Sequence, residues 1–144
     1  LQGLETLHLR VPAMCRNAAA VADMLAERAE IARVLYPFRA DHPQQKLAQA
    51  QMSAGGTIIA LHLEGGRAQA HGLLDALQLI DISNNVGDSR TLMTHPASTT
   101  HASMAAEARE EMGIIEGTLR LSVGLEDADD LIDDLDQALK VIGL

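Results

Sequence analysis

Thr118-Leu-Arg-Leu-Ser-Val-Gly124 alternates without a break: Leu119, Leu121 and Val123 share one face, and Thr118, Arg120 and Ser122 share the other. Successive side chains of a strand point to opposite sides, so this segment predicts a strand with one buried and one polar face. The polar face decides between two architectures that element order alone leaves open. An alternation of strands and helices would suggest a parallel α/β sheet, whose strands read as continuous apolar runs. Here the strands are few and short. The expected fold is therefore α+β: a small, mainly antiparallel sheet covered by helices mainly on one side.

After this strand, Asp127 reads as a helix N-cap. The helix that follows turns Leu131, Leu135, Ala138, Leu139 and Ile142 inward and puts its five aspartates on the exposed side. Before it, Met104 to Met112 is a short helix stopped by Gly113, and Ser89 to Ser103 has no period and reads as an irregular loop. Asp81 to Asp88 reads as a strand running into a turn, and Arg67 to Ile80 as a helix through Ala70, Leu73, Leu74 and Leu77. Thr57 to Leu63 is the clearest other strand. Pro43 to Met52 reads as a helix and Ile31 to Tyr36 as a strand closed by Pro37. Leu1 to Glu30 has helical spacing, with Met14, Ala18, Val21, Leu25 and Ala29 on one face. Pro12 is expected to kink that helix or to start a second segment.

The 144 residues suit a single domain, 1–144, with 47% hydrophobic and 22% charged residues. Tyr36 and Phe38 are the only aromatic side chains, so the core has to be aliphatic. A net charge of −9 repels a phosphate backbone and no aromatic platform is available for bases, which argues against nucleic acid. No apolar run reaches membrane-spanning length and no signal-peptide pattern opens the chain. The single cysteine, Cys15, reads as a small buried residue, and the expected address is the cytoplasm. The chain begins at Leu1 in a helix-like stretch, as a piece of something longer would.

Arg120 is the most informative residue. On the polar face of an apolar strand, a guanidinium is placed to hold a carboxylate by two parallel hydrogen bonds. A structural ion pair with one of the chain's many acids is the alternative. The loop His95-Pro-Ala-Ser-Thr-Thr-His101 holds two histidines but no cysteine cluster and no His-Glu-x-x-His helix, so no metal is expected. A Ser98–His101–Asp triad can be drawn, yet no nucleophile-elbow pattern supports it. Gly55-Gly56 and Gly65-Gly66 match neither a Walker nor a GxGxxG pattern and read as turns.

Several short motifs occur together in order: Leu4-Glu5-Thr6-Leu7 with Leu9-Arg10, Tyr36-Pro37 with His42-Pro43-Gln44, and Gln51-Met52-Ser53. They continue with Val86-Gly87-Asp88, Thr94-His95-Pro96-Ala97-Ser98 with Thr100-His101, and Leu119-Arg120-Leu121-Ser122-Val123-Gly124 with Glu126-Asp127. The ordered set resembles the Cys/Met metabolism (trans-sulfuration) enzymes that depend on pyridoxal phosphate (PLP). That resemblance implies the small C-terminal domain of a fold-type-I PLP enzyme. Arg120 would bind the α-carboxylate of an amino acid substrate, and Asn85, preceded by Asn84, would line the substrate site where many relatives carry serine. Thr94, His95 and Ser98 would belong to a loop shaping the active site.

The Asn-Asn-Val-Gly-Asp variant is most similar to the O-succinylhomoserine sulfhydrylase branch, which makes homocysteine from an activated homoserine and sulfide. Cystathionine γ-synthase and methionine γ-lyase share most of these motifs. The resemblance also implies a homo-oligomer and a larger PLP-binding domain that carries the Schiff-base lysine. Lys46 and Lys140, the only lysines, lack that context, so the segment alone is expected to hold no catalytic residue, bind no PLP and turn nothing over. A stand-alone regulatory or oligomerisation module taking a small acidic ligand through Arg120 is the competing reading.

Overall fold

The computed structural model describes residues 2–143. Helix α1 (Gln2–Glu5) and helix α2 (Leu7–Ala26) lead into strand β1 (Ile31–Leu35), helix α3 (Gln45–Gln51), strand β2 (Ile58–Leu63) and helix α4 (Arg67–Ala76). Two short strands, β3 (Asp81–Ile82) and β4 (Leu92–Thr94), precede a 3₁₀ turn at Pro96–Ser98 and helix α5 (Ala106–Glu111). Strand β5 (Thr118–Ser122) and helix α6 (Ala128–Val141) complete the order. The five strands form one sheet in the order β1-β2-β5-β4-β3. All pairs are antiparallel except β3 with β4. The α+β expectation holds, and β5 sits at the centre of the sheet.

The alternation in β5 does what its pattern requires. Leu119 and Leu121 are fully buried among Ile59 and Leu61 of β2, Met93 of β4, and Ala18, Val21 and Leu25 of α2. Leu73 of α4 and Leu131, Leu135, Ala138 and Leu139 of α6 close the same core, so the long helices cover one face of the sheet. Helix α6 begins where expected: the Asp127 side chain accepts a hydrogen bond from the Asp129 N–H at 2.9 Å.

Several elements differ from their sequence reading. Helix α2 runs through Pro12, and the break falls at Thr6, whose carbonyl accepts from both Leu9 and Arg10. Pro12 lies on the exposed side, where the carbonyl left without a donor is open to solvent. The helix ends at Ala26, leaving Ala29 exposed beyond it; Leu1, part of the same expectation, lies outside the described residues. The expected strand at 81–88 keeps only Asp81–Ile82, while the expected loop at 89–103 contains β4. The helix expected over 67–80 stops at Ala76.

Asp134 is also not on the exposed side of α6. It is buried, and its carboxylate accepts from the backbone N–H groups of Gln78, Leu79 and Ile80 at 2.8, 3.0 and 3.0 Å. Gln137 adds a further donor at 3.1 Å. One acid thus caps the turn that leaves α4 and ties it to α6.

Gly124, at the end of β5, is required by close approach. A Cβ there would lie 2.5 Å from the Ser89 carbonyl oxygen and 2.6 Å from Glu126 Oε2. Glu126 in turn accepts from the Thr91 N–H and hydroxyl at 2.6 and 2.7 Å. Gly124→Ala is therefore expected to cost roughly 1–3 kcal/mol by overpacking. A urea denaturation midpoint unchanged from wild type would refute this.

Candidate functional site

The face of the sheet opposite the core carries the site. In register, Arg120 sits between Ala60 of β2 and Thr94 of β4, and His62 lies one pair along, opposite Thr118. Ala60, His62, Thr118 and Arg120 share a cleft of about 220 Å³ with Leu35, Pro96, Thr100, His101 and the 112–114 turn. A larger cleft of about 440 Å³ opens elsewhere, among Val11, Cys15, Tyr36, Phe38 and Gly55, and Arg16 is its one charged lining residue. The smaller cleft sets the polar side chains of His62, Thr100, His101, Thr118 and Arg120 in an otherwise apolar wall.

Arg120 is half-buried and makes one hydrogen bond, from Nη2 to the Asn84 carbonyl at 2.6 Å. Its Nε is buried without a partner among the described residues. Among those residues no carboxylate forms an ion pair with it, unlike Arg28, Arg39, Arg67, Arg90 and Arg109. The structural ion pair considered for it from sequence is thus not formed. A buried guanidinium N–H left open costs free energy, and a carboxylate is the group whose geometry answers it.

Around it the expected residues divide. Asn84 presents its carbonyl to Arg120, and its Oδ1 accepts from the Thr94 hydroxyl at 2.6 Å. Asn85 is exposed, and its backbone N–H donates to Ser83 Oγ at 3.3 Å. Thr94 also lies 3.0 Å from Thr99 Oγ1, which donates to the His95 carbonyl at 2.8 Å. The Gly87 N–H donates to Ser122 Oγ at 3.1 Å, fastening the Val86-Gly87-Asp88 turn to the end of β5.

His95 is almost fully buried. Its Nε2 lies 2.9 Å from the Glu116 carbonyl and its Nδ1 2.7 Å from Ser98 Oγ. Burial holds this imidazole below the usual histidine range; the charges of His71 and Arg67 act in the same direction, and the Glu116 carbonyl opposes them. His62 is lowered too, first by burial and then by Arg33. His71 of α4 reaches the same loop, with Nε2 at 3.3 Å from both His95 Nδ1 and Ser98 Oγ. Sequence reasoning missed it, since a lone histidine on a helix carries no signal of a partner 24 residues on. The drawn Ser98–His101 pair does not form: His101 turns to Thr100, at 2.8 Å. Among the described residues, no group of three or more His, Cys, Asp or Glu side chains gathers to hold a metal. Likewise, no helix is long and apolar enough to cross a membrane.

This architecture is that of the trans-sulfuration enzymes. Cystathionine γ-synthase of Xanthomonas oryzae, solved with aminoacrylate and cysteine, matches with a TM-score of 0.93 at 40% identity over 98% of this chain and 36% of that one. An O-acetylhomoserine (thiol)-lyase of Campylobacter jejuni, assigned as putative and containing a pyridoxyl-lysine phosphate, matches with a TM-score of 0.92 at 37% identity, over 96% of this chain and 33% of that one. The chain belongs to the Cys/Met metabolism PLP-dependent enzyme family, whose model matches residues 1–140. It is 46% identical to O-succinylhomoserine sulfhydrylase of Mycobacterium tuberculosis over 96% of its length, and 45% identical to L-methionine γ-lyase of Pseudomonas putida over 97%. It spans about a third of these relatives, 35% of each.

Proposed function

We propose that residues 1–144 form the C-terminal, substrate-carboxylate-binding domain of a PLP enzyme acting on an amino acid. The observation that carries this reading is Arg120: a guanidinium on the open face of the sheet, with a buried Nε and no acid paired to it among the described residues. A bound α-carboxylate would complete its hydrogen bonding, and the apolar wall of Leu35, Ala60 and Pro96 would exclude water from the pair. The Asn84 carbonyl holds the guanidinium from one side, and Thr94 in turn bonds the Asn84 side chain.

The residues of the cleft do not fit a covalent anchor for the cofactor. Lys46 is exposed on α3, and Lys140 pairs with Asp136 on α6. The electron sink that PLP supplies would come from the rest of the enzyme. In this reading the larger part of the protein carries the cofactor and a homo-oligomer completes the enzyme, at a cytoplasmic address compatible with a free, buried Cys15.

Within the family we place the chain in the O-succinylhomoserine sulfhydrylase branch, on the Asn84-Asn85-Val86-Gly87-Asp88 turn and the 46% identity to that relative. The test is turnover by the full-length enzyme of O-succinylhomoserine with sulfide, against O-acetylhomoserine, cystathionine and methionine. Preference for the succinyl ester with sulfide is expected. Faster elimination from methionine would move the enzyme to the lyase branch.

A further inference from the structure

The contact between His71, His95 and Ser98 has a proton order fixed by its partners. A carbonyl only accepts, so His95 Nε2, facing the Glu116 carbonyl at 2.9 Å, must carry its proton. In the neutral ring Nδ1 is then an acceptor, and it receives the Ser98 hydroxyl at 2.7 Å. His71 Nε2–H is left to donate to Ser98 Oγ and His95 Nδ1, each at 3.3 Å. Every contact is satisfied in this one arrangement. Protonating His95 turns Nδ1 from acceptor to donor, so it meets the His71 N–H donor to donor until His71 shifts its own proton to Nδ1, and it frees the Ser98 hydroxyl to turn toward the His95 carbonyl at 3.4 Å.

The triangle is also connected to the cleft. The His95 carbonyl accepts from Thr99, Thr99 touches Thr94, Thr94 donates to Asn84, and Asn84 accepts from Arg120. We propose that His71 and His95 are positioning residues: with the His95 ring neutral they latch the 95–101 loop and, through Thr99, Thr94 and Asn84, hold the Arg120 guanidinium in place. The significance for substrate binding rests on Arg120 being the carboxylate anchor; the latch itself does not.

The groups that face His95 set the sign of its response. Arg67 and His71 come from α4, while Glu116 precedes β5 and pairs with Arg67 and Arg109, both at 2.6 Å. Burial, with Arg67 acting in the same direction, outweighs the Glu116 carbonyl and carboxylate, so the folded ring binds its proton less readily than an unfolded one. The latch is therefore fully closed above the ordinary histidine value, about 6.5. It is lost as pH falls through the lower folded value.

The test is a pH titration of the full-length enzyme, selectively labelled for NMR, following the His71, His95 and His62 ring protons, the Arg120 Nε–H and the Thr99 and Thr100 amides. Arg120 and the loop should shift with the His95 midpoint, below about 6.5. His71→Gln should raise that midpoint by removing the ring N–H that faces Nδ1 as a donor, His95→Gln should abolish the pH response at Arg120, and His62→Gln should leave it intact. A response at Arg120 that follows His62, or that survives in His95→Gln, overturns the proposal. If His95→Gln does not fold, the wild-type midpoints decide: coincidence of His95 with Arg120 supports the latch and divergence removes it. No substrate enters the measurement, so failure of the latch is distinguishable from failure of the carboxylate reading.

Discussion

Arg120→Ala in the full-length enzyme is expected to lower kcat/KM by about 30- to 4000-fold, the equivalent of roughly 2–5 kcal/mol for truncating one partner of a desolvated charge pair. The magnitude follows from the surroundings. Arg120 is half-buried against Leu35, Ala60 and Pro96, so water can stand in only poorly for the lost guanidinium. Arg120→Lys should fall between the two, since an ammonium keeps the charge but not the parallel pair of donors. The fold should change little in either variant, because the side chain's one hydrogen bond among the described residues is to the Asn84 carbonyl. Near-normal kinetics for the alanine variant would make Arg120 structural and remove the site assignment, leaving family membership intact.

Asp134→Ala should be the most damaging single change to stability, costing roughly 2–5 kcal/mol. It strips a charged acceptor from three backbone N–H groups, of which Ile80's is buried. Against a domain stability of about 5–15 kcal/mol, that is a large fraction. Asp134→Asn should be milder, keeping one acceptor oxygen while turning an NH₂ toward N–H donors. Urea unfolding of the three chains measures both, with the midpoint falling at constant slope. A midpoint within error of wild type for the alanine variant would show that water can replace the carboxylate.

Periodicity made some of the fold legible. β5 and α6 each bury a regular set of aliphatic side chains, and an alternation of two or a spacing of three and four residues records that directly. β4 left no such trace: three residues, Leu92, Met93 and Thr94, cannot establish a period, and the His95-Pro96 that follows reads as loop. Asp134 was misplaced for a different reason. Its polarity suggested solvent, while the structure satisfies it with backbone donors more than 50 residues away in sequence. The site divides in the same way. Arg120 stood out because it interrupts an apolar strand, and the Thr94–Ser98 loop because it is dense in polar side chains. That Asn84 rather than Asn85 meets the guanidinium depends on how a two-residue strand and its turn are threaded.

The order of the strands also bears on how the chain is made. Of the five, β5 is the last to leave the ribosome, yet it occupies the middle of the sheet, and Leu61 pairs with Leu119 across 58 positions. Until residues 118–122 emerge, the paired strands β1 and β2 have no neighbour to join them to β4, and the apolar stripe of α2 has only part of its core to bury. At synthesis rates of about 5–20 residues per second, the nascent segment spends seconds in that half-built condition. Collapse to the native sheet is then a late event governed by long-range pairing, and the interval before it is when chaperones would find this chain.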